Sequence, residues 1–104
     1  MKGVLSIGVI GAGQMGAGIA QVSALSGYKT QLWDINQDAL QKGIKGIYGH
    51  LGKMAEKEKI SQAQAEAAKG LLTGNPSISD LSNCDLVIEA ATENFDIKLS
   101  DFYF

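Results

Sequence analysis

Apolar residues along the chain follow two different spacings, and the alternation between them predicts a series of strands and helices. Residues 4–10 form a short apolar run rich in β-branched side chains, typical of a strand buried on both faces of a parallel sheet. From Gln14 onward the apolar residues recur every three or four positions, which indicates a helix that Gly27 ends. The expected core stripe of this helix consists of Met15, Ile19, Val22 and Leu25.

The alternation continues in a second strand and a long second helix. Residues 29–34 predict a strand that ends on the carboxylate of Asp34, and either Asn36 or Asp38 can cap the following helix. The apolar stripe of this helix comprises Leu40, Ile44, Ile47, Leu51 and Met54. The helix also carries a glycine every three residues, at Gly43, Gly46, Gly49 and Gly52. These glycines either allow a close approach to a neighbouring element, which we favour, or simply weaken the helix by about 1 kcal/mol each.

The remaining elements complete an α/β pattern. Ser61 is expected to cap a helix that Gly70 ends, and a short strand leads into a turn at Asn75-Pro76. Residues 84–91 predict another apolar strand, and Asn94 is expected to cap one more helix. The resulting order β-α-β-α-α-β-β-α predicts a parallel sheet with helices on both faces and a long helical pair after the second strand.

A glycine-rich string connects the first strand to the first helix: Gly11-Ala12-Gly13-Gln14-Met15-Gly16. In this position it matches the dinucleotide-binding fingerprint of a Rossmann-type sheet. Gly11 permits the tight turn, Gly13 leaves room for a pyrophosphate, and Gly16 lets helix and strand pack closely. The helix N-terminus offers N–H groups and a partial positive charge to the phosphates. We expect these six residues to bind a cofactor, with Asp34 accepting both hydroxyls of the adenosine ribose.

The alternative interpretation is a glycine turn that only connects strand and helix, with Asp34 as a polar strand end. We favour the binding site because four features agree with it: the strand before the turn, the spacing of the glycines, the helix that follows and the acid at position 34. A carboxylate at Asp34 repels a 2′-phosphate, and the following residues Ile35-Asn36-Gln37 supply no arginine to bind one. The expected cofactor is NAD rather than NADP. FAD is less favoured, although the fingerprint alone allows it.

Composition and charge narrow the class of protein further. The 104 residues suffice for one small domain, and a net charge of −2 supplies no basic field for nucleic acid or an anionic membrane. The single cysteine, Cys84, forms no internal disulfide and suits a reducing compartment. The start has no signal-peptide pattern, and no stretch of sequence has the length and apolarity of a membrane span. We expect a soluble, cytoplasmic protein without a metal site and without nucleic-acid or membrane partners.

Two longer blocks of the chain occur together in one enzyme family. They read IGVIGAGQMGAGIAQVSALSGYKTQLWDI, starting at Ile7, and CDLVIEAATENFDIK, starting at Cys84. Together they resemble the 3-hydroxyacyl-CoA dehydrogenase family, and the likeness extends to about Leu99. The glycine string lies close to the first residue. In this position the chain resembles the monofunctional 3-hydroxybutyryl-CoA type rather than the multifunctional fatty-acid-oxidation proteins.

The resemblance implies an oxidoreductase of fatty-acid or butanoate metabolism. Such an enzyme transfers a hydride between NAD and C3 of a 3-hydroxyacyl-CoA, here most naturally 3-hydroxybutyryl-CoA. The resemblance places Glu93 and Lys98 near the nicotinamide half of NAD, although by themselves they resemble a helix-start carboxylate and a surface lysine. It also makes Lys57 a weak candidate for a phosphate contact to CoA, with an ordinary solvated lysine as the favoured alternative.

The family's mechanism uses a His–Glu pair in which the histidine takes the proton from the 3-hydroxyl. That histidine is expected beyond residue 104, and the single histidine here, His50, is expected to be a partly exposed helical residue without a catalytic role. Residues 1–104 are therefore expected to form an NAD-binding Rossmann domain that is incomplete at its C-terminus and inactive alone. The resemblance implies a helical C-terminal domain, through which the parent is expected to form a homodimer or larger assembly; we do not expect that domain within these 104 residues. The alternative is an NAD-binding module without turnover.

Overall fold

Five strands and three α-helices follow one another in the computed structural model, which describes residues 5–90 and the backbone of residues 96–99. The strands are β1 (Ser6–Ile10), β2 (Lys29–Trp33), β3 (Leu72–Gly74), β4 (Leu86–Glu89) and β5 (Asp96–Leu99). The helices are α1 (Gln14–Leu25), α2 (Gln37–Glu56) and α3 (Gln62–Leu71), and a 3₁₀ helix spans Ile78–Asn83. One sheet has the order β3-β2-β1-β4-β5, with β1 to β4 parallel. This arrangement confirms the predicted α/β fold.

The two faces of the sheet are covered by different helices. Helices α1, α2 and α3 contact one another and pack on one face, where Val9 of β1 and Leu32 of β2 are fully buried. The 3₁₀ helix lies on the other face: a Cβ built on Gly8 would lie 3.1 Å from Leu81 Cγ and 3.2 Å from Cys84 Sγ. Helices therefore cover both faces, and α2 with α3 forms the predicted pair after the second strand.

The buried face of α1 differs from the predicted stripe. Its buried residues are all small: Gly16, Ala20, Ser23 and Ala24. By contrast, Met15 and Val22 of the predicted stripe are 42% and 62% exposed, and its other two members are only partly buried. The prediction is wrong for Met15 and Val22, whereas Ile19 and Leu25 pack against the core. The most buried positions are taken by small residues because α1 lies very close to the sheet: a Cβ on Gly16 would overlap the carbonyl group of Gly11.

The predicted stripe of α2 is confirmed: Leu40, Ile47 and Leu51 are buried, and Ile44 packs against the core. Among the four evenly spaced glycines, close approach to another element occurs at Gly43, where a Cβ would lie 2.9 Å from the Ala12 carbonyl oxygen. A Cβ at any of the other three positions would meet nothing within 4 Å. The close-approach interpretation therefore holds for one glycine, while the others leave the helix surface bare.

The second and third helices both begin at predicted caps. The side-chain oxygen of Asn36 accepts a hydrogen bond from the Ala39 amide at 3.1 Å, which starts α2. Ser61 starts α3 in a capping box: its Oγ accepts from the Gln64 amide at 3.0 Å, and its own amide donates to Gln64 Oε1 at 2.8 Å. Within the described residues, no helix is both long enough and apolar enough to cross a membrane.

The last strand corrects a prediction. The sequence predicts a helix capped by Asn94, which lies outside the described residues, but residues 96–99 form β5 and pair antiparallel with β4. The backbone register sets Ile97 opposite Ile88. The segment Asp-Ile-Lys-Leu alternates polar and apolar residues, which is the period of a strand, and the open edge of β4 offers backbone hydrogen-bond partners. Pairing along this edge outweighs the local capping signal.

A carboxylate joins the amino ends of β1 and β4. Asp85 Oδ2 accepts hydrogen bonds from the backbone N–H groups of Leu5 and Ser6, at 2.8 and 3.0 Å, and from Ser6 Oγ at 3.2 Å. The N–H of Leu5, followed by that of Ser6, lowers the pKa of Asp85, because these donors favour the ionised form. The interaction stabilises the pairing of the two strands whose opposite ends flank the glycine-rich turn.

We expect Asp85→Asn to lower the free energy of unfolding at neutral pH, because an amide offers only one accepting oxygen and no charge. Folding lowers the pKa of Asp85, so its carboxylate stabilises the fold above the unfolded-state pKa, and this contribution is lost as pH falls through the folded-state pKa. Denaturant unfolding between about pH 7 and pH 2 should show the variant converging on the wild type. Asp80→Asn, on the exposed 3₁₀ helix, is the matched control. A difference for Asp85→Asn that does not change with pH would contradict the assignment.

Candidate functional site

The predicted fingerprint forms a tight turn at the carboxyl end of β1. Gly11 has φ +105°, a conformation that side chains rarely adopt, and its N–H donates to the Trp33 carbonyl oxygen of β2 at 2.7 Å. Gly16 lies directly against the carbonyl of Gly11, so α1 begins as close to the strand as two backbones allow. These contacts agree with the predicted roles of both glycines in turn formation and packing.

The N-terminus of α1 presents free backbone donors beside this turn. Gly13 is the N-cap and makes no side-chain cap, so the first N–H groups of the helix are without acceptors inside it. A Cβ on Gly13 would meet nothing within 4 Å, and the following Gln14 and Met15 are exposed. The space in front of these donors is therefore accessible, and it fits a phosphate group.

Asp34 lies at the carboxyl end of the neighbouring strand, and both of its oxygens accept backbone hydrogen bonds. Oδ2 accepts from the Ala12 amide at 2.8 Å, and Oδ1 accepts from the Asn36 amide at 2.8 Å. An ionised carboxylate has about four lone-pair positions, so each oxygen retains one for a ligand. The structure thus brings Asp34 together with the glycine turn, in an orientation that suits the hydroxyl groups of a ribose.

A cleft of about 600 Å³ extends from this turn along the outside of the domain, between α1 and α2. Gly13 and Gln14 line its first end, and His50 lines the far end together with Gln21. His50 Nδ1 lies 2.8 Å from Gln21 Nε2 and 3.0 Å from Gln21 Oε1, so the two helices are joined across the cleft. The volume is within the range of small-molecule sites.

Motif-based reasoning missed this cleft because its lining follows helix faces rather than a motif. Residues that line the cleft recur at positions 14, 18 and 21 of α1 and at positions 39, 43, 46 and 50 of α2. These spacings of three and four place each set on one side of its helix. The structure therefore places His50 in the same cleft as the fingerprint.

The remaining predicted site residues are not brought to the turn by the described structure. Lys57 is the exposed C-cap of α2, 14 residues beyond Gly43, which corresponds to about 21 Å along a helix. Glu93 lies outside the described residues, and for Lys98 only the backbone position in β5 is described, opposite Val87 of β4. The roles predicted for Glu93 and Lys98 near the nicotinamide, and for Lys57 at a phosphate of CoA, stay predictions.

Cys84 lies at the opposite end of the sheet from the glycine turn. It is buried beneath the 3₁₀ helix, and burial, followed by the nearby charge of Asp85, raises the pKa of its thiol. A thiol that stays protonated in an apolar setting is a poor nucleophile. Cys84 is therefore a packing residue of the domain rather than a nucleophile.

Comparison with known proteins identifies the domain. The family model described as the NAD binding domain of 3-hydroxyacyl-CoA dehydrogenase matches residues 6–103. The chain belongs to this family. NAD is accordingly the cofactor of the domain, and the accessible donors of α1 together with the oriented carboxylate of Asp34 fit its pyrophosphate and adenosine ribose.

Individual relatives show the same relationship. The chain is 45% identical over 94 residues to a probable 3-hydroxybutyryl-CoA dehydrogenase of Deinococcus radiodurans, covering 90% of this chain and 34% of that one. It is 38% identical over 100 residues to a 3-hydroxybutyryl-CoA dehydrogenase of Bradyrhizobium diazoefficiens, covering 96% and 34%. The crystal structure of (S)-3-hydroxybutyryl-CoA dehydrogenase from Ralstonia eutropha matches with a TM-score of 0.81 and 41% identity, over 88% of this chain and 32% of that one. The chain thus spans about a third of the length of these relatives.

Two glycine substitutions should separate cofactor binding from stability. Gly13 has φ −69° and ψ −170°, which alanine adopts freely, so Gly13→Ala is expected to fold with only the small loss of stability of a poorer N-cap, while NAD binding weakens about tenfold or more. Gly16→Ala is expected to unfold or strongly destabilise the domain, because its methyl group overlaps the Gly11 carbonyl. Thermal unfolding and NAD calorimetry on the same samples check both.

Gly49→Ala is the matched control for these substitutions. A Cβ there meets nothing within 4 Å, and alanine improves helix propensity, so this variant should be slightly more stable and bind NAD normally. Normal NAD affinity in a folded Gly13→Ala protein would show that the pyrophosphate does not approach this position.

Proposed function

We propose that this domain is the cofactor-binding part of an NAD-dependent 3-hydroxyacyl-CoA dehydrogenase that acts on 3-hydroxybutyryl-CoA. The observation that carries the proposal is the glycine turn with Asp34 bonded to it, in a chain whose family is that of the enzyme's NAD-binding domain. Residues 1–104 would form this domain, and the relatives' remaining two thirds would supply the rest of the enzyme. The single cysteine, which is buried, supports a reducing, cytoplasmic location.

The arrangement of the strands gives NAD a direction across the site. Asp34 follows β2 and would hold the adenosine ribose, and the N–H groups of α1 would bind the pyrophosphate. The nicotinamide would then extend past β1 toward the carboxyl end of β4, which is followed along the chain by Glu93 and Lys98. NAD supplies the hydride acceptor for C3 of the substrate. The resemblance assigns proton transfer to a His–Glu pair beyond residue 104.

One side of α2 supports the assignment of a CoA substrate. Lys42, Lys53 and Lys57 fall within about 60° of one another around the helix axis, at 100° per residue. Gly46 and Gly49 lie between them and carry no side chains, so these exposed lysines flank a bare stretch of helix. A phosphate-bearing ligand such as the nucleotide part of CoA could lie along this surface, with Lys57 as one of its contacts.

The cofactor part of the proposal is tested by titrating the 104-residue chain with NAD and with NADP. Trp33 is the only tryptophan and immediately precedes Asp34, so its fluorescence should report binding, and calorimetry should give the affinities. NAD is expected to bind at least about tenfold more tightly, because the anchored carboxylate repels a 2′-phosphate. Equal affinities would overturn the role given to Asp34.

The enzymatic part is tested with a longer protein that carries this domain and the family's remaining two thirds. That protein should oxidise NADH in the presence of acetoacetyl-CoA, whereas the 104-residue chain should bind NAD without turnover. If the longer protein binds NAD but leaves acetoacetyl-CoA and longer 3-ketoacyl-CoA compounds unchanged, the alternative of a binding module without turnover is correct.

In the same longer protein, Lys57→Ala is expected to raise KM for acetoacetyl-CoA about threefold, with kcat and the affinity for NAD unchanged. The increase should be larger at low ionic strength, because the contact is an exposed ion pair. Lys59→Ala is the control, because Lys59 lies two residues beyond Lys57 and is not on the side of α2 that carries the other lysines. Equal effects of the two substitutions would leave Lys57 as an ordinary solvated lysine.

A further inference from the structure

The residue between the first two glycines of the turn is held from two sides. Ala12 is buried, and its N–H donates to Asp34 Oδ2 at 2.8 Å. On its other side, Gly43 of α2 lies so close that a Cβ there would be 2.9 Å from the Ala12 carbonyl oxygen and 3.2 Å from its Cβ. The conformation of the turn therefore depends on the end of β2 and on α2, as well as on its own glycines.

The carboxylate of Asp34 is itself fixed in place. Its other oxygen accepts the Asn36 amide at 2.8 Å, and the side chain of Asn36 caps α2. One chain of hydrogen bonds thus runs from the start of α2 through Asp34 to the glycine turn. Removing the carboxylate would leave the part-buried N–H of Ala12 without its acceptor, which is unfavourable unless the backbone rearranges.

We propose that Asp34 is a positioning residue for the phosphate-binding turn, in addition to its role as a ligand of the adenosine ribose. The proposal rests on the binding of NAD at this turn. It has a consequence for cofactor specificity: substitutions of Asp34 that remove the repulsion of a 2′-phosphate also loosen the turn. Such variants should bind NAD and NADP more weakly than they would if the turn kept its conformation.

The experiment uses two ligands that differ only at the ribose. ADP has the 2′- and 3′-hydroxyl groups that Asp34 would accept, and 2′,3′-dideoxy-ADP has neither. Calorimetry gives the affinity of each ligand for the wild-type chain and for Asp34→Ala, with thermal unfolding as the test of folding. Asp34→Asn, which is nearly isosteric and keeps one accepting oxygen, serves if the alanine variant does not fold.

Asp34→Ala is expected to weaken 2′,3′-dideoxy-ADP about tenfold, even though this ligand offers no hydroxyl to the carboxylate. Loss of a nearby negative charge acts in the opposite sense, since it favours a phosphate ligand. Asp38→Ala measures that charge effect, because Asp38 is an exposed acid in the first turn of α2. The proposal is wrong if Asp34→Ala weakens the binding of ADP but binds 2′,3′-dideoxy-ADP as tightly as Asp38→Ala does. Asp34 would then be only a ligand of the ribose.

Amide hydrogen exchange in the ligand-free chain tests the positioning role separately from cofactor binding. In Asp34→Ala, the Ala12 amide should exchange at least about tenfold faster, while the Gly11 amide, which donates to the Trp33 carbonyl, should change little. An unchanged rate at Ala12 would overturn the proposal. If the wild-type chain binds neither ADP nor NAD, the proposed cofactor site fails, and the exchange rates still decide whether Asp34 holds the turn.

Discussion

The direct contact between α1 and the turn that precedes it is the constraint on which the rest of the domain depends. Gly16 lies against the carbonyl of Gly11, and no side chain fits between them. This approach forces the buried face of α1 to consist of small residues, and it brings the helix N-terminus to the end of β1. The same closeness lets α2 reach the turn at Gly43. The glycines thus have two effects: they allow the elements to pack closely, and they leave the N-terminus of α1 accessible to a phosphate.

Hydrogen bonds convert this packing into a single rigid site. Asp34 follows β2 and accepts hydrogen bonds from Ala12 in the turn and from Asn36, the N-cap of α2, so one hydrogen-bond network joins these three elements. At the far end of β1, Asp85 stabilises the pairing with β4. The strand that carries the turn is therefore anchored at both ends, which reduces the ordering cost when a cofactor binds.

The sequence predicts those features that local spacing determines and misses those that depend on distances between elements. The fingerprint, the stripe of α2 and the caps at Asn36 and Ser61 follow from local patterns, and the structure contains all of them. The stripe assigned to α1 is wrong for Met15 and Val22, because the spacing of apolar residues carries no information on how close the helix lies to the sheet. The helix after Asn94 is replaced by β5, since an open strand edge competes with a local cap. The cleft that ends at His50 required two helices to be placed side by side.

The chemistry of the described site is that of binding. Around the glycine turn the structure provides backbone N–H groups and a carboxylate, Asp34, whose two oxygens both accept backbone hydrogen bonds; these groups fit phosphates and ribose hydroxyls. The single imidazole, His50, is bonded to Gln21 at the other end of the cleft. In a sheet whose strand order changes direction between β1 and β4, a dinucleotide with its adenosine ribose at Asp34 would extend its nicotinamide half past β1 toward β4. On the proposed function, proton transfer would come from groups outside this site, and this domain, which spans about a third of its relatives' length, would supply the adenosine half of the cofactor site.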